Sequence, residues 1–280
     1  MPKPKTVADF TEMAMQQFTA AGLPNSRLDS HVLLASACES NREWVLSYPE
    51  YVLTQPQQQR FLNYISQRLR GLSVAAITHT KQFYGLDFIV GPDVLIPRAE
   101  TETIVELACQ HAPQGGRAID IGTGCGAIAI SLKYHRPDLM VEATEISPEA
   151  LVVAKQNVER HVADVQLHEG DLFAQARPYF QTITANLPYL SLDKAHELLP
   201  EARSEPEVAL FGGKGDGLDL YRRFFSVVPN YLAPNGHVFI ESDPWQHPTL
   251  IKLAEGIGLE LMSEHYFVLG FSSSQEVSRA

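Results

Sequence analysis

The stretch "RAIDIGTGCGAIAISL", residues 117–132, places a short apolar strand, a glycine-rich turn and the start of an apolar helix in direct succession. Its glycines, Gly122, Gly124 and Gly126, let the backbone turn sharply and come close to a ligand. The helix that follows leaves its first amide groups free to bind polar atoms. The spacing also fits G-x-G-x-x-A, so a dinucleotide is one candidate ligand, and a glycine turn without any ligand is the competing interpretation.

Strands and helices alternate in the sequence that follows Arg98. The expected strands are "RAIDIG", "MVEATEIS", "VQLHEGD", "QTITANL" and "GHVFIES", with a terminal pair "LELMSEHY" and "FVLGFS". Helical patterns such as "PEALVVAKQNVERH" lie between them. This alternation is typical of an α/β domain with a parallel sheet and helices on both faces. Ligands in that architecture bind at the carboxyl ends of the strands.

The first quarter of the chain has a helical pattern instead. Three segments carry apolar residues at helical spacing: "TVADFTEMAMQQFTAAG", "NSRLDSHVLLASACES" and "QPQQQRFLNYISQRLRG". Helices this short are marginal alone, so we expect a small bundle. The next segment, "KQFYGLDFIVGPDVLIPRAETE", indicates a hairpin or extended connector. We therefore expect a helical domain at 1–72, a hairpin or connector at 73–98 and a ligand-binding α/β domain at 99–280.

The composition is that of an ordinary globular protein of 280 residues with a net charge of −11. This charge disfavours direct binding to a nucleic-acid backbone. Cys38, Cys109 and Cys125 lie far apart without C-x-x-C spacing, which favours a reducing compartment over a disulfide framework or a zinc site. Because Asp9 and Glu12 interrupt the N-terminal segment and no uncharged stretch reaches membrane-spanning length, we expect a cytoplasmic protein without membrane association.

Acidic residues follow the glycine turn where a nucleoside ligand would need them. Glu145 ends the next expected strand, where it could accept the hydroxyls of an adenosine ribose, whereas Glu142 lies too early in that strand. In "EGDLF", Asp171 could bond an adenine amino group and Leu172 could pack on the ring, or Asp171 could cap a turn. The sequence contains no nucleophile-elbow motif and no carboxylates at metal-ligand spacing, so we expect an enzyme that positions two substrates without a metal.

The stretch "ITANLPYL", residues 183–190, places Asn186-Leu187-Pro188-Tyr189 where the fourth expected strand ends. Together with the glycine turn, this tetrad resembles the class I S-adenosylmethionine-dependent methyltransferases. Their amino-methylating members carry (Asp/Asn/Ser)-x-Pro-(Tyr/Phe/Trp) at this place. The resemblance implies a seven-stranded, Rossmann-like α/β sheet with an antiparallel last strand, next to the small N-terminal helical bundle.

The order of further motifs narrows the resemblance. The segments "FYGLDFIVGPDVLIPRAETETIVE", "AIDIGTGCGAIAISL", the tetrad and "EPEVALFGGKGDGLDLYRRF" follow one another as in the HemK/PrmC family. These are protein-(glutamine-N5) methyltransferases that act on peptide chain release factors. The resemblance implies methylation of the glutamine in the Gly-Gly-Gln loop, with a role in translation termination, substrate recognition by the N-terminal domain and a monomeric enzyme.

The family's functional residues fall on definite positions here. The resemblance assigns the binding of S-adenosylmethionine to nine residues: Gly122, Thr123, Gly124, Cys125, Gly126, Glu145, Asp171, Leu172 and Asn186. It assigns catalysis to Asn186, Leu187, Pro188 and Tyr189. Phe83, Arg98 and Glu100 match positions near the substrate pocket, although Phe83 could equally fill core and Arg98 and Glu100 could equally form a structural salt bridge.

Three other functions remain open from the sequence. The tetrad would serve adenine-N6 methylation of RNA or DNA just as well, and the form Asn-Leu-Pro-Tyr is the one seen in ribosomal RNA adenine dimethyltransferases. Against it stand the charge of −11 and the connector motifs. The second alternative is a cofactor-binding module without catalysis, and the third is an enzyme that binds a nicotinamide dinucleotide at the glycine turn.

Overall fold

A computed structural model describes residues 5–198, 202 and 205–273. The chain divides into two compact units. The first is formed chiefly by residues up to His79, and the second by most of the chain from Thr80 onward.

Helices make up the described part of the first unit. Their bounds are α1 (Val7–Ala20), α2 (Ser26–Ala37), α3 (Arg42–Ser47), α4 (Gln55–Leu69) and α5 (Val74–Thr78). The three expected helices are present as α1, α2 and α4. The short helices α3 and α5 were not expected, because each has too few residues to show an apolar period.

Local sequence explains where these helices begin. Thr6 and Asp9 form a capping box at the start of α1, and Ser73 caps α5 by accepting a hydrogen bond from the Ala76 amide at 3.1 Å. The apolar faces meet in a core that includes Phe10 and Phe61, whose rings pack edge to face 6.0 Å apart.

The second unit opens with an antiparallel hairpin of β1 (Thr80–Phe83) and β2 (Leu86–Ile89). The residues between the strands, Tyr84 and Gly85, both have positive φ, as a tight hairpin turn requires. The amide of Asn157 in α8 (Pro148–His161) bonds both backbone polar groups of Ile89, which ties the hairpin to the domain.

A seven-stranded sheet forms the centre of this unit, as expected for the class I methyltransferase fold. Its strand order is β10-β11-β9-β6-β3-β4-β5. The strands are β3 (Arg117–Ile121), β4 (Met140–Glu145), β5 (Val165–Glu169), β6 (Phe180–Ala185), β9 (Leu232–Glu241), β10 (Leu259–Glu264) and β11 (Val268–Ser273). Strands β3, β4, β5, β6 and β9 are parallel, and β11 is antiparallel to both of its neighbours. This confirms the predicted sheet and its reversed strand.

The remaining elements pack around the sheet. They are α6 (Glu102–His111), α7 (Ala127–His135), α8, α9 (Glu207–Leu210), α10 (Asp219–Val227), α11 (His247–Glu255) and a small ribbon of β7 (Leu190–Ser191) and β8 (Phe211–Gly213). The core between sheet and helices is rich in aromatic side chains such as Tyr221, Phe224 and Phe239. Within the described ranges, no helix combines the length and apolar character needed to cross a bilayer.

Candidate active site

A cavity of about 420 Å³ lies at the carboxyl ends of β3, β4 and β6, where a parallel sheet offers a ligand site. Most of the residues expected at the site line it: Gly122, Thr123, Gly124, Cys125, Glu145, Asp171, Leu172, Asn186, Leu187 and Pro188. The fold therefore brings the glycine turn and the first three residues of the Asn-Leu-Pro-Tyr tetrad together around one space.

The glycine turn is held by the neighbouring strand. Gly122 and Gly124 have φ of +69° and +57°, which residues with a Cβ adopt only with strain. The amides of Gly122 and Thr123 donate to the carbonyl of Thr144 at 3.0 and 2.9 Å. A Cβ on Gly124 would meet no atom within 4 Å, so this part of the turn faces open space.

A buried carboxyl group beneath the turn adds support that sequence reasoning missed. Asp120, 2% exposed, accepts hydrogen bonds from the hydroxyls of Thr123 at 2.6 Å and Thr184 at 2.8 Å. Burial raises the pKa of Asp120 to about 7, although both hydrogen bonds favour its ionised form. The sequence feature that could have revealed this buried carboxyl is the single acidic residue inside the apolar strand "AIDIG".

Glu145 supplies the acidic edge of the cavity. Its carboxylate accepts the amides of Gly124 at 2.8 Å and Ser147 at 2.9 Å, and the side chain is almost buried. A carboxylate has about four acceptor positions, so two remain for donors from a ligand. The rival Glu142 bonds Arg117 and His168 instead, and among the described residues it is not part of the cavity wall.

Asp171 and Leu172 form another part of the cavity wall. Asp171 pairs with Arg223 of α10, which also lines the cavity and was not expected there. The Asp171 side chain therefore serves an ion pair rather than a turn cap. Leu172 has φ of +49°, a strained conformation for a leucine that is often found at functional sites.

The tetrad begins directly after β6. Asn186 donates its side-chain nitrogen to the hydroxyl of Thr101 at 3.1 Å. The amide of Leu187 donates to the hydroxyl of Tyr221 at 3.3 Å, and that hydroxyl donates to the backbone carbonyl of Glu241 at 2.6 Å. Hydrogen bonds from two other elements thus fix the side chain of the first residue and the backbone of the second.

The "GGKGDG" segment is glycine-rich because it lies against the tetrad backbone. A Cβ on Gly212 would come within 2.2 Å of the carbonyl oxygen of Pro188. One on Gly217 would come within 2.3 Å of the carbonyl oxygen of Tyr189. Such separations are far below van der Waals contact, so only glycine fits at either position.

Some predicted site residues lie outside the cavity wall among the described residues. Tyr189 points its hydroxyl at Glu241 Oε1, 3.3 Å away. Gly126 is the N-cap of α7, and a Cβ placed on it would lie 2.8 Å from Ile130 Cδ1. The others are Phe83, which is 1% exposed and packs on Phe88; Arg98, which pairs with Glu205 at 2.6 Å; and Glu100, which is exposed. The structure thus gives Phe83 a core environment and Arg98 an ion-pair partner.

The geometry describes a site that can bind a polar nucleoside-like ligand and hold a planar group beside it. Backbone amides and the carboxylates of Glu145 and Asp171 offer polar contacts, while Ile146, Leu172 and Ala150 offer apolar ones. Asn186 adds a side chain that can accept or donate hydrogen bonds in one plane.

Comparison with known proteins agrees with this arrangement. Residues 10–78 match the PrmC N-terminal domain, and residues 100–205 match the methyltransferase small domain. A methyltransferase from Pyrococcus furiosus, 18% identical with a TM-score of 0.53, covers 76% of this chain and 98% of its own, which shows the fold.

Sequence relatives specify the family. The chain is 36% identical over 241 residues to a release factor glutamine methyltransferase of Koribacter versatilis, with 84% of this chain and 86% of the relative covered. It is 35% identical over 259 residues to that of Geobacter sulfurreducens, with 92% and 91% covered. The chain therefore belongs to the family of release factor glutamine methyltransferases.

Proposed function

We propose that this chain transfers a methyl group from S-adenosylmethionine to the side-chain amide nitrogen, N5, of the glutamine in the Gly-Gly-Gln loop of peptide chain release factors. The observation that carries the proposal is the cavity shared by the glycine turn and the tetrad. A methyl donor and an amide acceptor have to meet in one water-poor space for direct transfer.

The residues at the turn fit S-adenosylmethionine. Glu145 retains acceptor positions for ribose hydroxyls, and the face of Gly124 is open to the cavity. Asp171 and Leu172 offer an acceptor and an apolar surface for the adenine. When bound, the cofactor supplies an electrophilic methyl group on a sulfonium. Thr123, Cys125 and Gly126 complete the proposed binding turn.

The tetrad is proposed to hold the substrate amide. An amide nitrogen is a poor nucleophile because its lone pair is delocalised into the carbonyl. It becomes positively charged as its bond to the methyl carbon forms and the carbon–sulfur bond breaks, and it returns to neutral by releasing one of its hydrogens as a proton. Asn186 Oδ1 and the backbone carbonyl of Leu187 would accept its two hydrogens and stabilise that charge. Pro188 fixes the turn of the backbone, and Tyr189 is proposed to pack on the planar amide.

We assign recognition of the release factor to the N-terminal helical domain, residues 1–72, joined through the connector 73–98 to the methyltransferase domain 99–280. The match of residues 10–78 to the PrmC N-terminal domain supports a separate N-terminal domain, and it extends past residue 72 into the segment assigned to the connector. We further propose that the enzyme is a cytoplasmic monomer without direct nucleic-acid contact, in keeping with its charge of −11. Arg98 and Glu100, next to the cavity-lining Thr101, remain candidates for contacting the substrate loop.

The test uses purified release factor and S-adenosylmethionine labelled in its methyl group. We expect label on the Gly-Gly-Gln glutamine, located by peptide sequencing. A release factor with this glutamine replaced by asparagine serves as the matched substrate control, since the shorter side chain withdraws the nitrogen from the methyl donor. RNA and DNA are offered in parallel. Label on adenine and none on the release factor would support adenine-N6 methylation and refute the proposal.

A further inference from the structure

The backbone of the tetrad lies outside regular secondary structure. Strand β6 ends at Ala185 and β7 begins at Leu190, so the four residues between them have no strand partner for their backbone polar groups. Buried backbone groups of this kind have to be paired by other parts of the chain. Two buried side chains, Tyr221 and Gln246, form hydrogen bonds with this backbone.

Gln246 lies directly before α11 and is 1% exposed. Its Nε2 donates to the carbonyl of Tyr189 at 2.8 Å and to the carbonyl of Asp216 at 2.7 Å, and its Oε1 accepts the amide of Asp243 at 3.0 Å. A carbonyl can only accept and a backbone amide can only donate, so these three partners fix which end of the side chain is nitrogen. Both hydrogens of that nitrogen are used to join the last residue of the tetrad to the "GGKGDG" segment.

The same Tyr189 carbonyl is confined from a second side. Gly217, next to Asp216, approaches its oxygen so closely that a Cβ on the glycine would lie 2.3 Å away. The oxygen is thus held both by the hydrogen bond from Gln246 and by the close approach of the glycine. These two independent contacts at one backbone atom leave the peptide group little room to rotate.

Tyr221 holds the other end of the segment. Its side chain is fully buried, and its hydroxyl accepts the amide of Leu187 at 3.3 Å and donates to the carbonyl of Glu241 at 2.6 Å. The Leu187 carbonyl therefore lies between two held groups, the Leu187 amide and the Tyr189 carbonyl. Since the ring of Pro188 also fixes one of the torsions between them, this carbonyl has little freedom to turn.

Resting on the function proposed above, we propose that Gln246 and Tyr221 are positioning residues that keep the Leu187 carbonyl directed at the substrate amide. Among the described residues neither of them lines the cavity, so each acts through the backbone of the tetrad. An acceptor has to lie where charge develops in the transition state, and an acceptor that can turn away stabilises that charge less. Loss of either side chain should therefore slow methyl transfer without weakening cofactor binding.

Asn157 offers a matched control, because it is a second fully buried amide with the same set of contacts. Its Nδ2 donates to the carbonyls of Ile89 and Cys125, both at 2.9 Å, and its Oδ1 accepts the amide of Ile89 at 2.7 Å. These partners belong to the hairpin and the glycine turn, and none belongs to the tetrad. An apolar substitution at Asn157 thus removes as many hydrogen bonds as one at Gln246 and leaves the contacts of the tetrad backbone in place.

The kinetic test compares Gln246→Met, Tyr221→Phe and Asn157→Leu at saturating cofactor and release factor. Gln246→Met and Tyr221→Phe should each lower kcat about tenfold or more, while the dissociation constant of S-adenosylmethionine stays within about threefold of the wild-type value. Asn157→Leu should show the opposite split, with kcat within about threefold of the wild type and weaker cofactor binding, because the Cys125 carbonyl lies in the glycine turn. If Gln246→Met does not fold, Tyr221→Phe alone decides. An unchanged kcat in Gln246→Met and Tyr221→Phe, or an equal fall of kcat in Asn157→Leu, would overturn the positioning role.

A second measurement needs no release factor and so separates this inference from the proposed function. Hydrogen exchange of the Leu187 amide, followed by NMR, reports opening of the tetrad backbone, and the Ile183 amide reports opening of β6. We expect the Leu187 amide to exchange about tenfold faster or more in Gln246→Met and Tyr221→Phe, with Ile183 unchanged. If the wild type does not methylate release factors but Leu187 alone exchanges faster in these variants, the proposed function fails and the positioning of the tetrad backbone stands. Equal acceleration at Leu187 and Ile183 would mean a general loss of stability, and the positioning role would be wrong.

Discussion

Leu187 packs directly over Gly122, so that a Cβ placed on the glycine would lie 2.9 Å from Leu187 Cδ2. The second residue of the tetrad is thus in contact with the first glycine of the glycine turn. Leu187 is 3% exposed and belongs to the main hydrophobic core of the domain. This packing joins the glycine turn to the tetrad across the cavity.

Gly122→Ala is expected to weaken S-adenosylmethionine binding about tenfold or more, because it pushes Leu187 and strains a turn with φ of +69°. Calorimetric titration with the cofactor measures the loss. Gly115→Ala is the matched control, since Gly115 has φ of +68° but no atom within 4 Å of its Cβ position. Equal loss of affinity in both variants would mean that the loss follows from a general destabilisation of the fold and that the contact with Leu187 is irrelevant.

Asn186→Ala should lower kcat by about 100-fold or more while cofactor affinity stays within about threefold of the wild type. The lost oxygen is one of the two proposed acceptors for the substrate amide, and the cofactor turn has its own hydrogen bonds to Thr144 and Glu145. Single-turnover methylation and cofactor titration give the two values. A variant that loses cofactor affinity but keeps its rate at saturation would contradict the role assigned to Asn186.

Glu145→Gln should raise the dissociation constant of the cofactor about tenfold or more, since an amide can accept fewer hydrogen bonds than the carboxylate that also anchors Gly124 and Ser147. Glu142→Gln is the matched control on the same strand. It removes the charge that pairs with Arg117 and one of the two acceptor oxygens, and should reduce stability without changing cofactor affinity. If instead Glu142→Gln weakened the cofactor and Glu145→Gln did not, the assignment of the ribose site would have to be exchanged.

Local patterns in the sequence were enough to predict the parallel sheet, the glycine turn and the acidic residue Glu145 of the cavity wall, whereas the seven-stranded form of the sheet and the role of the tetrad came from the family resemblance. The strand that ends in the glycine turn and the strand that ends in Asn186 are strongly apolar, and parallel strands bring their carboxyl ends together. The contacts of Thr101, Tyr221 and Glu241 with the tetrad were not predictable, because they join residues from 34 to 85 positions apart. The spacing of apolar residues along the chain carries no information about pairs of residues so far apart. Helices α3 and α5 were missed for a different reason, since they are too short to complete an apolar period.

The buried carboxyl beneath the cofactor turn predicts how stability depends on pH. The pKa of Asp120 is raised by burial to about 7 in the folded chain, from 3.8 for the free side chain. Between these values the folded protein binds more protons than the unfolded chain, so this group makes the free energy of unfolding fall as pH rises. Asp120→Asn should remove up to about 1.4 kcal/mol per pH unit of that slope in the same range, as measured by urea unfolding.

Asp138 is a suitable control because its shift has the opposite sign. Its partners, the Arg136 guanidinium and the Gly115 amide, hold the pKa of this carboxyl well below its usual range. The Asp138 carboxylate therefore stabilises the folded chain at every pH above the pKa that this group has in the unfolded chain, and the stabilisation is lost only below that pKa. Asp138→Asn should lower the free energy of unfolding between about pH 5 and about pH 7 without changing its slope with pH there. If Asp120→Asn also left the slope unchanged, Asp120 would be ionised throughout this range. The hydrogen bonds from Thr123 and Thr184 would then outweigh the effect of its burial.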